Sequence, residues 1–181
     1  MNGVYSSLKD RNPSPSTARL LADLVPPREF ERASFENYIP HSEFPSQAEA
    51  SKAAQSFALG KTAKRGLFSR GPVETDSLGI YLDGGFGVGK THLLAATYHQ
   101  FRGKKAFGSF IAFTSLIGAL GFAAAKEALA RYALICIDEF ELDDPGDTMI
   151  MSRLLNELGA RGVKFAATSN TPPSALGEGR F

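Results

Sequence analysis

Leu78-Gly79-Ile80-Tyr81-Leu82-Asp83-Gly84-Gly85-Phe86-Gly87-Val88-Gly89-Lys90-Thr91 is the stretch whose reading decides the fold. Leu78 to Leu82 is a short apolar run of strand character, and Gly84 to Thr91 fits G-x-x-x-x-G-K-[ST]. Glycines reach positive φ and put no side chain between backbone and ligand. Successive N–H groups can then turn inward as an anion-binding nest. A helix beginning near Lys90 adds the positive end of its dipole. Gly84, Gly85, Phe86, Gly87, Val88, Gly89, Lys90 and Thr91 are therefore candidate phosphate-binding residues. In this reading Lys90 reaches the β- and γ-phosphates as a point charge and the Thr91 hydroxyl binds Mg²⁺. The alternative is a glycine turn that happens to end in Lys. The apolar strand before the loop and the helical pattern after it argue against that.

Downstream, apolar runs alternate with helical patterns. Phe107 to Phe113 reads as a buried strand followed by a helix, and Ala133 to Ile137 as a strand covered on both faces. Asp147 to Gly159 reads as an amphipathic helix with Met149, Ile150, Leu154, Leu155 and Leu158 facing inward, and Val163 to Thr168 as a last strand. Strands at 78–82, 107–113, 133–137 and 163–168 separated by helices predict an α/β domain with a parallel sheet.

Two further motifs fall on the ends of these strands. Leu134-Ile135-Cys136-Ile137-Asp138-Glu139 delivers two carboxylates at a strand's C-terminal end, the Walker B pattern. Asp138 is a candidate for the Mg²⁺ shell. Glu139 is a candidate general base that polarises a water for attack on a γ-phosphate. Ala166-Ala167-Thr168-Ser169-Asn170 places an amide at the next strand end, where Asn170 can touch the γ-phosphate or orient the attacking water. Asp-Glu after a strand can also be a plain exposed turn, and Asn before Thr171-Pro172-Pro173 can be turn chemistry. With the acids 48 residues past a P-loop lysine, and Asn170 downstream of both motifs, they read as catalytic. Asp144 or Asp147 suits a helix N-terminus, so the acidic run from Asp138 to Asp147 is not all metal-directed. Cys136 reads as a small buried hydrophobe. His41, His92 and His99 lack ligand spacing, so a zinc site is not expected. No N-K-x-D motif is present, which favours adenine over guanine and makes ATP the expected nucleotide.

Upstream, residues 1–16 read as a flexible polar arm. Residues 17–27 carry Leu20, Leu21 and Leu24 on a short helix, and the aromatics of 28–45 are expected to lie across the core surface. A helix over 46–64 is predicted from Ser46 and Glu49 as a capping box. Lys61, Lys64, Arg65 and Arg70 form a basic cluster that reads as a solvated helix end. The 181 residues, 43% apolar and 22% charged, suit one globular domain. A net charge of +1 argues against a nucleic-acid coat. A lone cysteine fits a reducing, cytoplasmic setting. Residues 106–125 carry no charge until Lys126 and are long enough to span a bilayer. Their glycines and hydroxyls, and their place between two halves of one site, favour a buried core segment.

The three motifs together resemble an AAA+ ATPase. Their wording is closer still to the ZapE cell-division ATPases, bacterial relatives of the AFG1-like mitochondrial ATPases. The likeness runs through residues 81–91, Asp138-Glu139-Phe140-Glu141-Leu142, Asp147-Thr148-Met149-Ile150 and Ala167-Thr168-Ser169-Asn170-Thr171-Pro172-Pro173, with Phe35-Glu36-Asn37-Tyr38-Ile39-Pro40 upstream. It implies a three-layer αβα P-loop core from 78 to 181 and a family-specific region at 17–77 that packs on it. It implies Lys90 and Thr91 on phosphate and magnesium, Asp138 on magnesium, Glu139 as catalytic base and Asn170 as sensor 1. It also implies Mg²⁺-dependent ATP hydrolysis, homo-oligomers, action on the tubulin-like division-ring protein, and at most peripheral contact with the inner membrane. Family members continue past this point with a fifth strand and a helical lid. The chain therefore reads as C-terminally truncated, with the first strand at a sheet edge, turnover weakened and Arg180 in the place of an arginine finger. A nucleotide-dependent binding module without turnover and a helicase-loader-like ATPase are the alternative readings.

Overall fold

In the computed structural model, which describes residues 16–60 and 78–176, four parallel strands form one sheet: β1 (Gly79–Asp83), β2 (Lys105–Ser109), β3 (Leu134–Asp138) and β4 (Lys164–Ser169). Their order across the sheet is β1-β4-β3-β2, so β1 forms an edge among the described residues. The helices are α1 (Thr17–Ala22), α2 (Pro45–Ala58), α3 (Lys90–Gln100), α4 (Phe110–Leu120), α5 (Phe122–Leu129) and α6 (Pro145–Gly159). Single 3₁₀ turns lie at Arg28–Phe30 and Pro173–Ala175.

The alternation of strand side chains builds three layers. Leu134 and Cys136 of β3 pack with Leu94 and Ala95 of α3. Ile135 and Ile137 point to the other face, among residues of α4, α5 and α6. That is why β3 is apolar at four consecutive positions, every one of them buried. α2 lies beside α3, with Ala54 and Ala58 against Leu93 and Ala96. The segment before α2 crosses the same face, burying Ala33 and Phe35.

Several local expectations change. The strand expected over 107–113 ends at Ser109, and α4 starts at Phe110. The Ser109 hydroxyl caps this helix by accepting from the Ala112 N–H at 3.2 Å. Phe110, Phe113, Leu116 and Ile117 then bury one helical face. The capping box at Ser46 does not form: α2 begins at Pro45, with no side-chain cap at Phe44, and ends at Ala58. Proline loses nothing at a first helical position, because that N–H has no partner within the helix. Gln47 bonds outward, accepting from the His41 N–H at 2.8 Å. α6 begins two residues early with Asp144 as its cap, accepting from Asp147 N–H at 2.9 Å. Its inner face is Met151, Leu154 and Leu158, while Met149 and Ile150 are exposed. The short helix after residue 17 stops at Ala22, and Leu24 is buried beyond it. No helix among the described residues is long and apolar enough to cross a membrane; 106–125 divides into β2, α4 and the start of α5. The basic cluster at Lys61, Lys64, Arg65 and Arg70 lies outside the described residues, as does most of the expected N-terminal arm.

Candidate functional site: a phosphate cradle at the sheet's C-terminal edge

β1 ends at Asp83 and the chain turns through Gly84–Gly89 into α3. Gly87 and Gly89 have φ of +76° and +85°, values that favour glycine. A Cβ on Gly87 would enter open space, while one on Gly89 would lie 2.6 Å from the Tyr38 ring. Tyr38 is a strut for this loop. Its hydroxyl donates to the Val88 carbonyl at 2.9 Å, and its ring lies 5.6 Å from that of His92. His92 Nε2 bonds to the Ser34 carbonyl at 2.9 Å. The strut is stiffened by Asn37, whose Oδ1 accepts from Ser34 N–H at 2.8 Å and whose amide donates to the Arg32 carbonyl at 2.8 Å.

Lys90 Nζ reaches back across the loop, donating to the Gly84 and Gly85 carbonyls at 2.8 and 2.7 Å and to Asn170 Oδ1 at 2.9 Å. Desolvation holds its ammonium pKa below the usual lysine value; Asp138, Glu141 and Asp83 pull the other way. Thr91 Oγ1 donates to Asp138 Oδ1 at 3.1 Å, joining the P-loop to the end of β3. One cavity of about 280 Å³ is lined by Gly87, Lys90, Thr91, Asp138, Glu139 and Asn170 among others, with the almost fully exposed Phe86 at its rim. The structure thus brings together Lys90, Thr91, Asp138, Glu139 and Asn170, which come from three separated stretches of sequence.

Two residues that the sequence reading did not single out hold this arrangement. Thr168, buried on β4, donates to Asp138 Oδ1 and accepts from Glu139 N–H at 3.1 Å. Its carbonyl accepts from Phe140 N–H at 2.6 Å. These bonds fix Glu139 at φ +53°, the one non-glycine residue at positive φ among those described. Such a conformation costs about 1–2 kcal/mol for a residue with a Cβ. It keeps the Glu139 side chain exposed, lining the cavity rather than packed in the sheet. The second residue is Glu141, whose carboxylate accepts from Ser169 and Thr171 hydroxyls and from the Asn170 N–H. The signal that could have found Thr168 is a polar residue directly after the apolar run Phe165-Ala166-Ala167 of β4. Glu141 sat in the acidic run without distinction.

Cys136 is fully buried in β3, and desolvation pushes its thiol pKa up. That is the environment of an inert core sulfur. Among the described residues no group of three or more His, Cys, Asp or Glu side chains could hold a metal ion by themselves. Arg180 lies outside the described residues.

A parallel sheet, a glycine loop entering a helix after β1 and two acids at the end of β3, one strand removed across β4, define a P-loop ATPase core of the AAA+ kind. The AFG1-like ATPase family matches residues 14–181, and the chain belongs to that family. The cell division protein ZapE of Escherichia coli K12 is 34% identical over 109 residues, a match that covers 54% of this chain and 29% of ZapE. Lactation elevated protein 1 homolog B of Danio rerio is 44% identical over 55 residues, 30% of this chain and 11% of that protein. The chain spans less than a third of the length of these curated relatives. Among solved structures, the DnaC helicase loader superposes with a TM-score of 0.57 at 18% identity, over 81% of each chain. DnaI gives 0.57 at 21% identity over 83% of this chain and 78% of its own, and domain III of Thermotoga maritima DnaA gives 0.58 at 16% identity over 80% and 58%. These likenesses show the AAA+ fold.

Proposed function

We propose that this chain binds ATP with Mg²⁺ and hydrolyses the γ-phosphate. The observation that supports this best is the convergence of Lys90, Thr91, Asp138, Glu139 and Asn170 on one cavity beside the glycine loop. The residues fit the triphosphate. The open space at Gly85 and Gly87 leaves the loop backbone free to approach an anion, and the Lys90 ammonium is already at the loop's centre. They fit the metal too. Thr91 Oγ1 and Asp138 Oδ1 lie 3.1 Å apart, close to the ~2.9 Å between neighbouring oxygens around Mg²⁺ at 2.0–2.1 Å. When bound, Mg²⁺ neutralises charge that develops on the phosphate oxygens.

In this reading Lys90 gives up the Gly84 and Gly85 carbonyls and binds the phosphate. The Glu139 carboxylate holds the attacking water and takes its proton, and the Asn170 amide orients the γ-phosphate. Absence of an N-K-x-D motif favours adenine. We assign the physiological setting by analogy with ZapE: an oligomeric ATPase that remodels a protein partner at the division ring, that partner being the tubulin-like ring protein. Residues 17–77 act as a family-specific region supporting the core at 78–181, and Arg180 as the finger offered to a neighbouring subunit.

The test is a fluorescent-nucleotide titration with steady-state phosphate release for wild type, Lys90→Ala and Glu139→Gln. Lys90→Ala should lose tight binding. Glu139→Gln should bind ATP normally and lose ~10²–10⁴ in turnover, the usual contribution of a general base. Wild-type affinity in Lys90→Ala refutes the phosphate assignment. Normal binding without turnover in every form supports a nucleotide-dependent binding module instead.

A further inference from the structure

Glu141 lies three residues beyond Asp138, past the tight turn in which its own N–H donates to the Glu139 carbonyl at 2.9 Å. Its side chain leaves that turn and grips the end of β4. Oε1 accepts from Ser169 Oγ and from the Asn170 backbone N–H, both at 2.8 Å, and Oε2 accepts from Thr171 Oγ1 at 2.9 Å. The loop is tied further by Thr171 N–H donating to Ser169 Oγ at 2.9 Å and by Tyr81 hydroxyl donating to the Thr171 carbonyl at 2.7 Å. Asn170 itself is exposed, with no packing to aim it. Its amide oxygen is held by Lys90 Nζ at 2.9 Å, and the backbone from which the side chain springs is held on both sides by one carboxylate.

We propose that Glu141 is a positioning residue that sets how Asn170 meets the terminal phosphate, and so sets the preference of the site for a nucleoside triphosphate over a diphosphate. This rests on the nucleotide-binding reading above. The carboxylate comes from the same turn as Glu139. The base Glu139 and the amide of Asn170, 31 residues apart in sequence, are thereby held in one register.

The mechanism is hydrogen bonding over a fixed reach, not charge, and two conservative variants separate these. In Glu141→Gln the remaining Oε1 still accepts from Ser169 and Asn170, and the new amide can donate to the Thr171 hydroxyl, which serves as acceptor as well as donor. Glu141→Asp keeps the charge and shortens the reach by one methylene.

The probes are a non-hydrolysable ATP analogue and ADP, titrated into wild type, both variants and Lys90→Ala, with far-UV circular dichroism to confirm folding. The expected result is a triphosphate preference reduced about tenfold in Glu141→Asp, the scale of one lost hydrogen bond to a charged group. ADP affinity in that variant should stay within about threefold of wild type, and the preference in Glu141→Gln within about threefold. An unchanged preference in Glu141→Asp, or a preference lost in Glu141→Gln but kept in Glu141→Asp, overturns the proposal. Lys90→Ala distinguishes the two failures. If wild type and Lys90→Ala bind neither nucleotide differently, the nucleotide reading fails and the positioning role with it. If Lys90→Ala loses binding while Glu141→Asp behaves as wild type, only the positioning role fails.

Discussion

Thr168→Val is the substitution that probes the site's framework most cleanly, because valine has the shape of threonine without its hydroxyl. Thr168 is 1% exposed, and its hydroxyl makes two bonds, one given to the Asp138 carboxylate and one received from the Glu139 N–H. Loss of the neutral bond costs about 1 kcal/mol and loss of the bond to a carboxylate about 1.5–3 kcal/mol. Asp138 is only half-buried and keeps the Thr91 hydroxyl as a donor, so water recovers part of the second term. A net loss of about 2 kcal/mol follows. For a chain of this size each kcal/mol lowers Tm by about 2–4 °C, giving a fall of about 4–8 °C in thermal unfolding followed by circular dichroism. Thr97→Val is the matched control. Thr97 is also fully buried, but its hydroxyl only supplements a helical carbonyl, that of Leu93 at 2.8 Å. That carbonyl keeps its helical backbone donor, so the control should move Tm by no more than about 2 °C. If Thr168→Val melts within about 1 °C of wild type, or no lower than the control, the hydroxyl does not hold the turn and the account of Glu139 fails with it.

Gly89→Ala should destabilise by about 2 kcal/mol or more and weaken nucleotide binding, because it combines a strained φ with a Cβ 2.6 Å from Tyr38. Gly60→Ala has a comparable φ but open space, and urea unfolding of that variant should register only the backbone cost, about 1 kcal/mol. Tyr38, Tyr81, Tyr98 and Tyr132 all have phenol pKa values raised by burial. A raised folded value means that each contributes stability present below pH ~10 and lost as pH climbs through it. Ultraviolet titration should therefore show these four ionising above the range of a free phenol, and four ordinary midpoints near pH 10 would contradict their packing.

What the sequence conveyed, and what it did not, divides along contact range. β3 was legible because four consecutive apolar residues have few uses other than a strand buried on both faces. The phosphate loop was legible because its chemistry is local: nest, lysine and helix start fall within eight residues. The misread stretch at 107–113 shows the limit of the same logic. An apolar run has the same composition as strand or as buried helix, and the deciding feature was a single hydroxyl, Ser109, that caps a helix at Phe110. On α6 the apolar residues outnumber the buried positions, so only the true helix start at Pro145 shows that Met151 rather than Met149 faces the core. The struts were illegible for a different reason. Tyr38 meets Val88 across 50 residues and Glu141 meets Ser169 across 28. Nothing in the neighbourhood of either residue announces the partner.

The bonds around Lys90 and Asp138 give the phosphate site a definite thermodynamic character. Lys90 has three acceptors already and Asp138 two hydroxyl donors, so neither charge waits unpaired for a ligand. In the proposed reaction, phosphate binding is then an exchange. Two backbone carbonyls and one amide oxygen are replaced by phosphate oxygens around the same ammonium, and only the difference between the two sets contributes to affinity. The exchange also explains why the third acceptor is Asn170. A lysine that leaves the amide oxygen for a phosphate frees that side chain at the moment the ligand arrives. The backbone under it is tied by Glu141 and by Tyr81 through Thr171, bonds that do not involve Lys90. An amide released by the same event that brings the phosphate, on a loop tied independently of Lys90, is suited to tell a filled terminal-phosphate position from a vacant one. The loop glycines could not provide that distinction alone, since their N–H groups meet whichever phosphates are present.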